Sequence, residues 1–245
     1  MNFTHSWIIA TKDLKAIRHR RTILYTIVFM PVVLAVLFAY IVQYIYIAAP
    51  TTKVSDIAGL LDAFAIWFVI IAAILPSPIA SYSIVGEKVE KSLEPLLATP
   101  VTDGEILLGK SLAAFIPTIL ASYAAATIYM VWVDRTLYGV VGYLYYPNSE
   151  MLVILLLLAP LTCLLSIEMN VITSSRVTDV RSASQLGGII FAPFMGLYIA
   201  GEIGVITLNT PTLLILSALF ALLALGMFSL ATRTFQREEI LTKWK

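Results

Sequence analysis

The segment most suggestive of chemistry is Gly104–Ser111, read G-E-I-L-L-G-K-S, which satisfies the G-x-x-x-x-G-K-[ST] spacing of a phosphate-binding loop. Such a loop follows a buried strand, opens a helix in a soluble domain, and cradles phosphates on backbone N–H groups. Here the segment runs straight into a long apolar stretch from Ser111, and no domain remains to hold a nucleotide, so nucleotide binding by this chain is excluded on context. Serine hydrolysis inside a membrane needs a histidine beside the nucleophile. The only histidines, His5 and His19, sit in the polar N-terminal segment. There is no H-E-x-x-H zinc pattern and no aspartate pair within an apolar stretch. The single cysteine, Cys163, can make neither an intrachain disulfide nor a cysteine metal site, and reads as a small buried hydrophobe. The chain is therefore expected to be no enzyme, with no catalytic, cofactor or metal residues of its own.

The elements around these residues are set by composition. Of 245 residues, 60% are hydrophobic and 13% charged, against about 25% charged in an ordinary soluble domain. Mean hydropathy is +0.91. A soluble domain of this size cannot hide so much apolar surface. A net charge of +1 offers no field for nucleic acid, and disorder requires low hydrophobicity. What remains is an all-α polytopic membrane protein, a single transmembrane domain over 1–245.

Phe3, Trp7, Ala10, Leu14 and Ile17 recur at helical spacing, with Lys12, Lys15, Arg18 and His19 off that stripe. This predicts an amphipathic helix over 3–19 lying in the membrane interface; an ordinary polar leader is the plainer alternative. Apolar runs predict six transmembrane helices at about 23–49, 60–86, 111–133, 151–173, 186–208 and 211–232. The first run is too long for a signal-peptide core and no clean cleavage site follows it, so it is expected to stay. Residues 134–150 form a tyrosine-rich loop (Tyr138, Tyr143, Tyr145, Tyr146) expected to hug the membrane surface. Five spans carry interior prolines, Pro31, Pro76 with Pro78, Pro117, Pro160 and Pro193, as gating kinks or as static packing features. Six spans put both termini on one side, and 14 of the 16 basic residues then share that side, leaving only Lys53 and Arg135 opposite. The positive-inside bias predicts cytoplasmic termini.

The longest charged stretch, Gly86–Lys110, reads GEKVEKSLEPLLATPVTDGEILLGK. Glu87, Lys88, Glu90, Lys91 and Glu94 alternate in sign at helical spacing, Leu93, Leu96 and Leu97 form an apolar edge, and Thr102-Asp103 reads as a helix start. A hairpin over 87–110 with ordered apolar positions suggests a docking surface, with a solvated loop as the alternative. The pattern E-K-x-x-x-x-L-E-x-L-L-A-T-P-V-T-x-x-E-I-L-L-G-K resembles that of type-2 ATP-binding cassette (ABC) transporter permeases. Ser174–Gln185 and Phe235–Leu241 are similar to two further segments of that family, in the same order. The resemblance implies an exporter-like fold of an interfacial helix and six spans in a prokaryotic plasma membrane. It implies partnership with a second permease, identical or related, and with two ABC ATP-binding subunits that carry ATP and Mg. It also implies that Glu87–Ala98 holds a coupling helix seated in the ATPase, with Glu87, Lys88, Glu90, Lys91, Leu93, Glu94, Leu96 and Leu97 as its contacts.

Three intramembrane polar residues are candidates for a substrate path or polar network: Glu168, Asn170 and Glu202. Charges at that depth cost about 2.5–3.5 kcal/mol on insertion scales. Glu168 is expected either to meet a cationic cargo group or to pair with Arg176 or Arg181. Glu202 lies in the glycine-rich stretch G-L-Y-I-A-G-E-I-G, which by family resemblance forms a re-entrant helix at an outer vestibule. Asp62 is expected at the outer surface. The reading is a transport permease that forms the translocation path and exports a cargo the sequence does not name, driven by ATP hydrolysis on a separate subunit; the alternative is a non-transporting membrane scaffold or anchor for an ATPase.

Overall fold

An uninterrupted apolar sequence in a membrane has to satisfy its backbone within itself, so long helices are the outcome here. The computed structural model describes residues 2–48, 54–86, 101–176 and 191–234, together with residues 99 and 185. Helix α1 spans Phe3–His19. Its N-cap is Asn2, whose side chain accepts from the Thr4 N–H, and Arg18 and His19 occupy its last turn, where they favour the negative end of the helix dipole. After a one-residue break at Arg20 the chain enters α2, Arg21–Ala48. Helix α3, Val54–Ile74, is followed by a break at Pro76, a short helix α4, Ser77–Ser81, and a π-helical turn, Tyr82–Gly86. Helix α5, Asp103–Val141, is 39 residues long, about 58 Å at 1.5 Å per residue. Helix α6, Ser149–Val153, continues through a π-helical turn, Ile154–Leu158, into α7, Ala159–Arg176. Helices α8, Phe191–Glu202, and α9, Thr210–Thr234, complete the described elements.

Among the described residues, five helices are long and apolar enough to cross a membrane. Of the sixth expected span, 186–208, the described part is α8, a 12-residue apolar helix. The chain leaves the helix because Gly204 adopts φ 75°, a left-handed conformation that glycine takes without strain. The Val205 and Ile206 N–H groups both fold back onto the Ala200 carbonyl. The glycine-rich stretch is therefore the end of α8 itself and not a separate re-entrant helix. Residues 186–190 lie outside the described residues.

The other expectations shift at their edges. The hairpin 87–110 is shorter than expected at its far end, because α5 already begins at Asp103 and runs on past Val133 to Val141. The tyrosine-rich loop contracts to the residues after Gly142. Its tyrosines divide: Tyr138 and Tyr143 are exposed, whereas Tyr146 is buried. The Asp134 carboxylate accepts from the N–H groups of both Tyr145 and Tyr146 at 2.9 Å, and the Tyr146 hydroxyl donates to the Leu61 carbonyl at 3.2 Å. That side chain is a plug over the end of α3, and Asp62 beside it is half-buried.

Helix α3 sits at the centre. It is apolar all round, and Leu61, Phe68, Ile71 and Ala72 have no exposed surface, as expected for a helix enclosed by others. Helix α5 packs on α1 and α2, and α7 on α3 and α9. Phe38 stacks on Phe64 at 4.5 Å, joining α2 to α3, and Phe194 meets Phe220 edge-on at 5.2 Å, joining α8 to α9. The outward faces of α2 and α9 carry exposed Phe29, Leu37, Leu222 and Leu225, the surface that lipid would cover.

The helix irregularities follow from proline. Pro160 has no N–H, and the turn ahead of it is π-helical, so the carbonyl five residues back, that of Leu155, has no backbone donor. The Tyr123 hydroxyl supplies one at 2.8 Å. Likewise α3 stops ahead of Pro76, and the Ser166 hydroxyl donates to the Ala73 carbonyl. Side-chain donors thus serve carbonyls at the places where proline interrupts the helices. Tyr123→Phe should lower the thermal midpoint of the detergent-solubilised chain, by an equivalent of about 0.6–1.7 kcal/mol. An unchanged midpoint would show that the Leu155 carbonyl needs no such donor.

Candidate functional site

The charged candidates Glu87, Lys88, Glu90, Lys91, Leu93, Glu94, Leu96 and Leu97 lie outside the described residues. What the structure does place is the ground on either side of them. Both flanks of residues 87–98 are fastened to α1 by one buried polar cluster.

On the leading flank, Ser83 lies in the π-helical turn that follows the proline break. Its hydroxyl donates to Asp13 Oδ2 of α1 at 2.8 Å. On the trailing flank, Lys110 lies two turns into α5. Its Nζ donates to the Ser83 carbonyl at 2.6 Å and lies 3.5 Å from Asp13 Oδ2. Lys110 is 1% exposed and Asp13 5%. A lysine buried to this degree has to be paired and hydrogen-bonded, and here one carboxylate, one carbonyl and one hydroxyl surround it. One residue earlier, Gly109 lets the helices approach. A Cβ there would come within 2.7 Å of the Ser6 carbonyl and 2.8 Å of Ile9 Cβ. The Gly-Lys pair that imitates a phosphate-binding loop is thus used for helix packing and for a buried ion pair.

The start of α5 makes a second fastening. Thr102 and Glu105 form a capping box, with Glu105 N–H on the Thr102 hydroxyl and Thr102 N–H on the Glu105 carboxylate at 3.1 Å. The same carboxylate accepts from the Asn2 N–H and lies 3.3 Å from His5 Nδ1. Arg20, at the end of α1, stands 3.7 Å over the Tyr82 ring, a cation–π contact with the leading flank. Sequence periodicity misses this arrangement. Of the expected stripe, Ala10 and Ile17 are buried, while Phe3 and Trp7 are exposed and stack on each other at 6.3 Å. The face turned to the protein is Ser6, Ile9, Ala10, Asp13 and Ile17. Asp13 was hidden from the sequence reading by its position in a charged run; its spacing from Ile9, Ala10 and Ile17 was the available signal.

Deeper in the bundle, Asn170 ties α7 to the broken end of α3. Its Oδ1 accepts from the hydroxyls of Ser77 at 2.7 Å and Ser81 at 3.1 Å, and its Nδ2 donates to the Ser166 carbonyl at 2.7 Å. Asn170 is a framework residue, holding α4 in place. Glu168 on the same helix is 5% exposed, and its Oε2 has no hydrogen-bond partner among the described residues. The expected partners are not placed: Arg181 lies outside the described residues, and Arg176 is the last residue of α7 with its side chain not described. Glu202 ends α8, remote in sequence from this network, and its side chain too is not described. Beside Met169 lies a cavity of about 450 Å³ between α7, α8 and α9, lined by Leu165, Phe194, Leu197, Phe220 and Leu223 among wholly apolar residues. It can hold only an apolar group.

Removing one member of the buried pair should be far worse than removing both. Asp13→Ala should destabilise the solubilised chain by about 3–5 kcal/mol by taking the carboxylate away from the buried Lys110 ammonium. Asp13→Ala with Lys110→Met should recover most of it. Equal thermal midpoints for the single and double variants would show that the pair is not electrostatically coupled.

Comparison with known proteins places this architecture. A search of curated proteins returns no match. A family model described as ABC-2 family transporter protein matches residues 7–216, a range that takes in Asp13, the flanks of residues 87–98, Asn170 and Glu202. With five helices able to cross a membrane among the described residues and a match over most of its length, the chain belongs to the ABC-2 family of transporter proteins and is a multi-pass membrane transport permease, partnered in that family by an ABC ATP-binding subunit.

Proposed function

We propose that this permease forms the translocation path of an ABC exporter and couples it to ATP hydrolysis on separate subunits through residues 87–98. Two ATP-binding subunits would hold ATP and Mg, and a second permease, identical or related, would complete the path. Helix α1 would lie at the cytoplasmic interface, with both termini in the cytoplasm of a prokaryote, as the distribution of 14 of 16 basic residues supports.

The observation that carries this reading is the clasp around those residues. Ser83 before them and Lys110 after them meet on a single α1 carboxylate. A push on the segment between is therefore handed to three elements at once: α1, α5 and the broken end of α3. A loop with two loosely held ends would absorb the same push. Rigid-body rocking of helices around a central site is the motion such a clasp suits. The short external connections fit a cargo taken from the cytoplasm or inner leaflet. Glu168, buried with an orphan oxygen, is the group proposed to meet the polar part of the cargo, with Glu202 as a second candidate.

Purification of the tagged chain from native membranes in mild detergent should bring down a soluble ATPase in roughly equal amount. The combined variant Glu90→Lys, Lys91→Glu, Glu94→Lys should lose that partner and lose transport. Unchanged ATPase binding and transport in this variant would overturn the coupling assignment. An ATPase that co-purifies without substrate-stimulated turnover in liposomes would favour a scaffold. Separately, Glu168→Gln should reduce transport while the ATPase remains bound; if Glu168→Gln and Glu202→Gln both transport normally, neither residue lines the path.

A further inference from the structure

A second cavity lies far from the clasp, on the outward side of the bundle between α2 and α5. These helices run in the same direction. Lys110 meets α1 just ahead of α2, and Trp132 meets Gln43 near the far end of α2, its Nε1 donating to Gln43 Oε1 at 2.7 Å. The groove beyond that contact encloses about 810 Å³.

Its walls are graded along the helix axis. At the end remote from α1, the rim carries the Arg135 guanidinium with Tyr46 and Thr136. One turn deeper, Trp132 and Gln43 form a polar step: the Gln43 oxygen accepts the indole N–H, which leaves the donor end of the amide for another partner. Deeper still the wall is Val131 and Ile128, both exposed. The one further hydroxyl at that depth, Thr127, already donates to the Tyr123 carbonyl at 2.8 Å. Positions 128, 131, 132 and 135 share a single face of α5, so a straight ligand can follow it from charged rim to apolar floor. Among the described residues Arg135 makes no ion pair, and Asp134 beside it turns Oδ1 to the Tyr145 and Tyr146 N–H groups. A guanidinium suits a phosphate by shape as well as charge, and tryptophan and tyrosine favour headgroup depth.

We propose that this groove holds a resident anionic phospholipid, its phosphodiester on Arg135 and Gln43 and one acyl chain along Val131 and Ile128. The site is independent of the ATPase coupling proposed above, so either assignment can fail alone. The lipid is a fixed part of the outer half of the permease, and it seals the seam between the first and third long apolar helices.

The test uses the full chain in phosphatidylcholine liposomes carrying either dibrominated phosphatidylglycerol or dibrominated phosphatidylcholine. Bromine quenches nearby tryptophan, and the Trp132 contribution is the difference from Trp132→Phe. Half-maximal quenching is expected at roughly tenfold lower mole fraction of the anionic lipid, which corresponds to about 1.4 kcal/mol. Arg135→Gln should erase that preference and leave quenching by the zwitterionic lipid unchanged. Equal quenching by both lipids, or a preference that survives Arg135→Gln, overturns the proposal. Absence of quenching by either lipid also overturns it, and points to a second permease copy covering the groove. Release of the anionic lipid when Mg-ATP is added to the permease–ATPase complex would mark it as cargo, and overturns its being resident.

Discussion

The charge of Lys110 cannot be left alone where it sits, and much of the described architecture at one end of the bundle answers to that constraint. A buried ammonium without a partner is costly, so Asp13 must be brought to it, and Asp13 belongs to a helix that could otherwise lie anywhere on the surface. Bringing α1 close enough requires Gly109 at the crossing. Ser83 completes the ring of acceptors and so fixes the turn after the proline break. Three elements distant in sequence are placed relative to one another by one ion pair with its hydrogen bonds. Such a pair is a poor source of net stability and a strong source of positional specificity, because its failure is expensive in every other geometry.

The same economy runs through the bundle interior. Proline interrupts α3 and the α6–α7 span, and each interruption is met by a hydroxyl from a neighbouring helix: Ser166 onto Ala73, Tyr123 onto Leu155. Asn170 then gathers Ser77, Ser81 and Ser166 around one amide. Because a bilayer offers no water to replace a lost donor, these contacts decide where a helix is allowed to break. The irregular segments are as specified as the regular ones, and Glu168, whose Oε2 has no hydrogen-bond partner among the described residues, sits two residues from Asn170 on the same helix.

Much of this was legible in the sequence. Hydropathy found α2, α3, α5, the α6–α7 span and α9, since uninterrupted apolar runs admit little else, and Thr102 was recognisable as a helix start from Asp103 and Glu105 behind it. The family was legible from the segment around Leu93–Lys110. Three things were not. The exact end of the span expected over 186–208 was not, because composition is blind to the φ of Gly204 that ends α8. The protein-facing side of α1 was not readable from the stripe Phe3, Trp7, Ala10, Leu14 and Ile17, because packing against α5 selected the smaller Ser6, Ala10 and Asp13, as close helix crossing favours small side chains. The task of Lys110 was not readable either, because the buried partner Asp13 that defines it sits on a helix 97 residues away in sequence.

Helix α5 has one more implication. At 39 residues, or about 58 Å, it is nearly twice the depth of a hydrocarbon core of about 30 Å. Its first turns are gripped by Asn2, His5 and Asp13, and its last turns hold the loop that carries Tyr146 into the end of α3. A stiff spar anchored in this way at both extremities has no room to tilt privately. Any angle imposed at the Thr102 end reappears, reversed in direction, as a sideways swing of the tyrosine plug at the other, so the two faces of the membrane share a single mechanical degree of freedom.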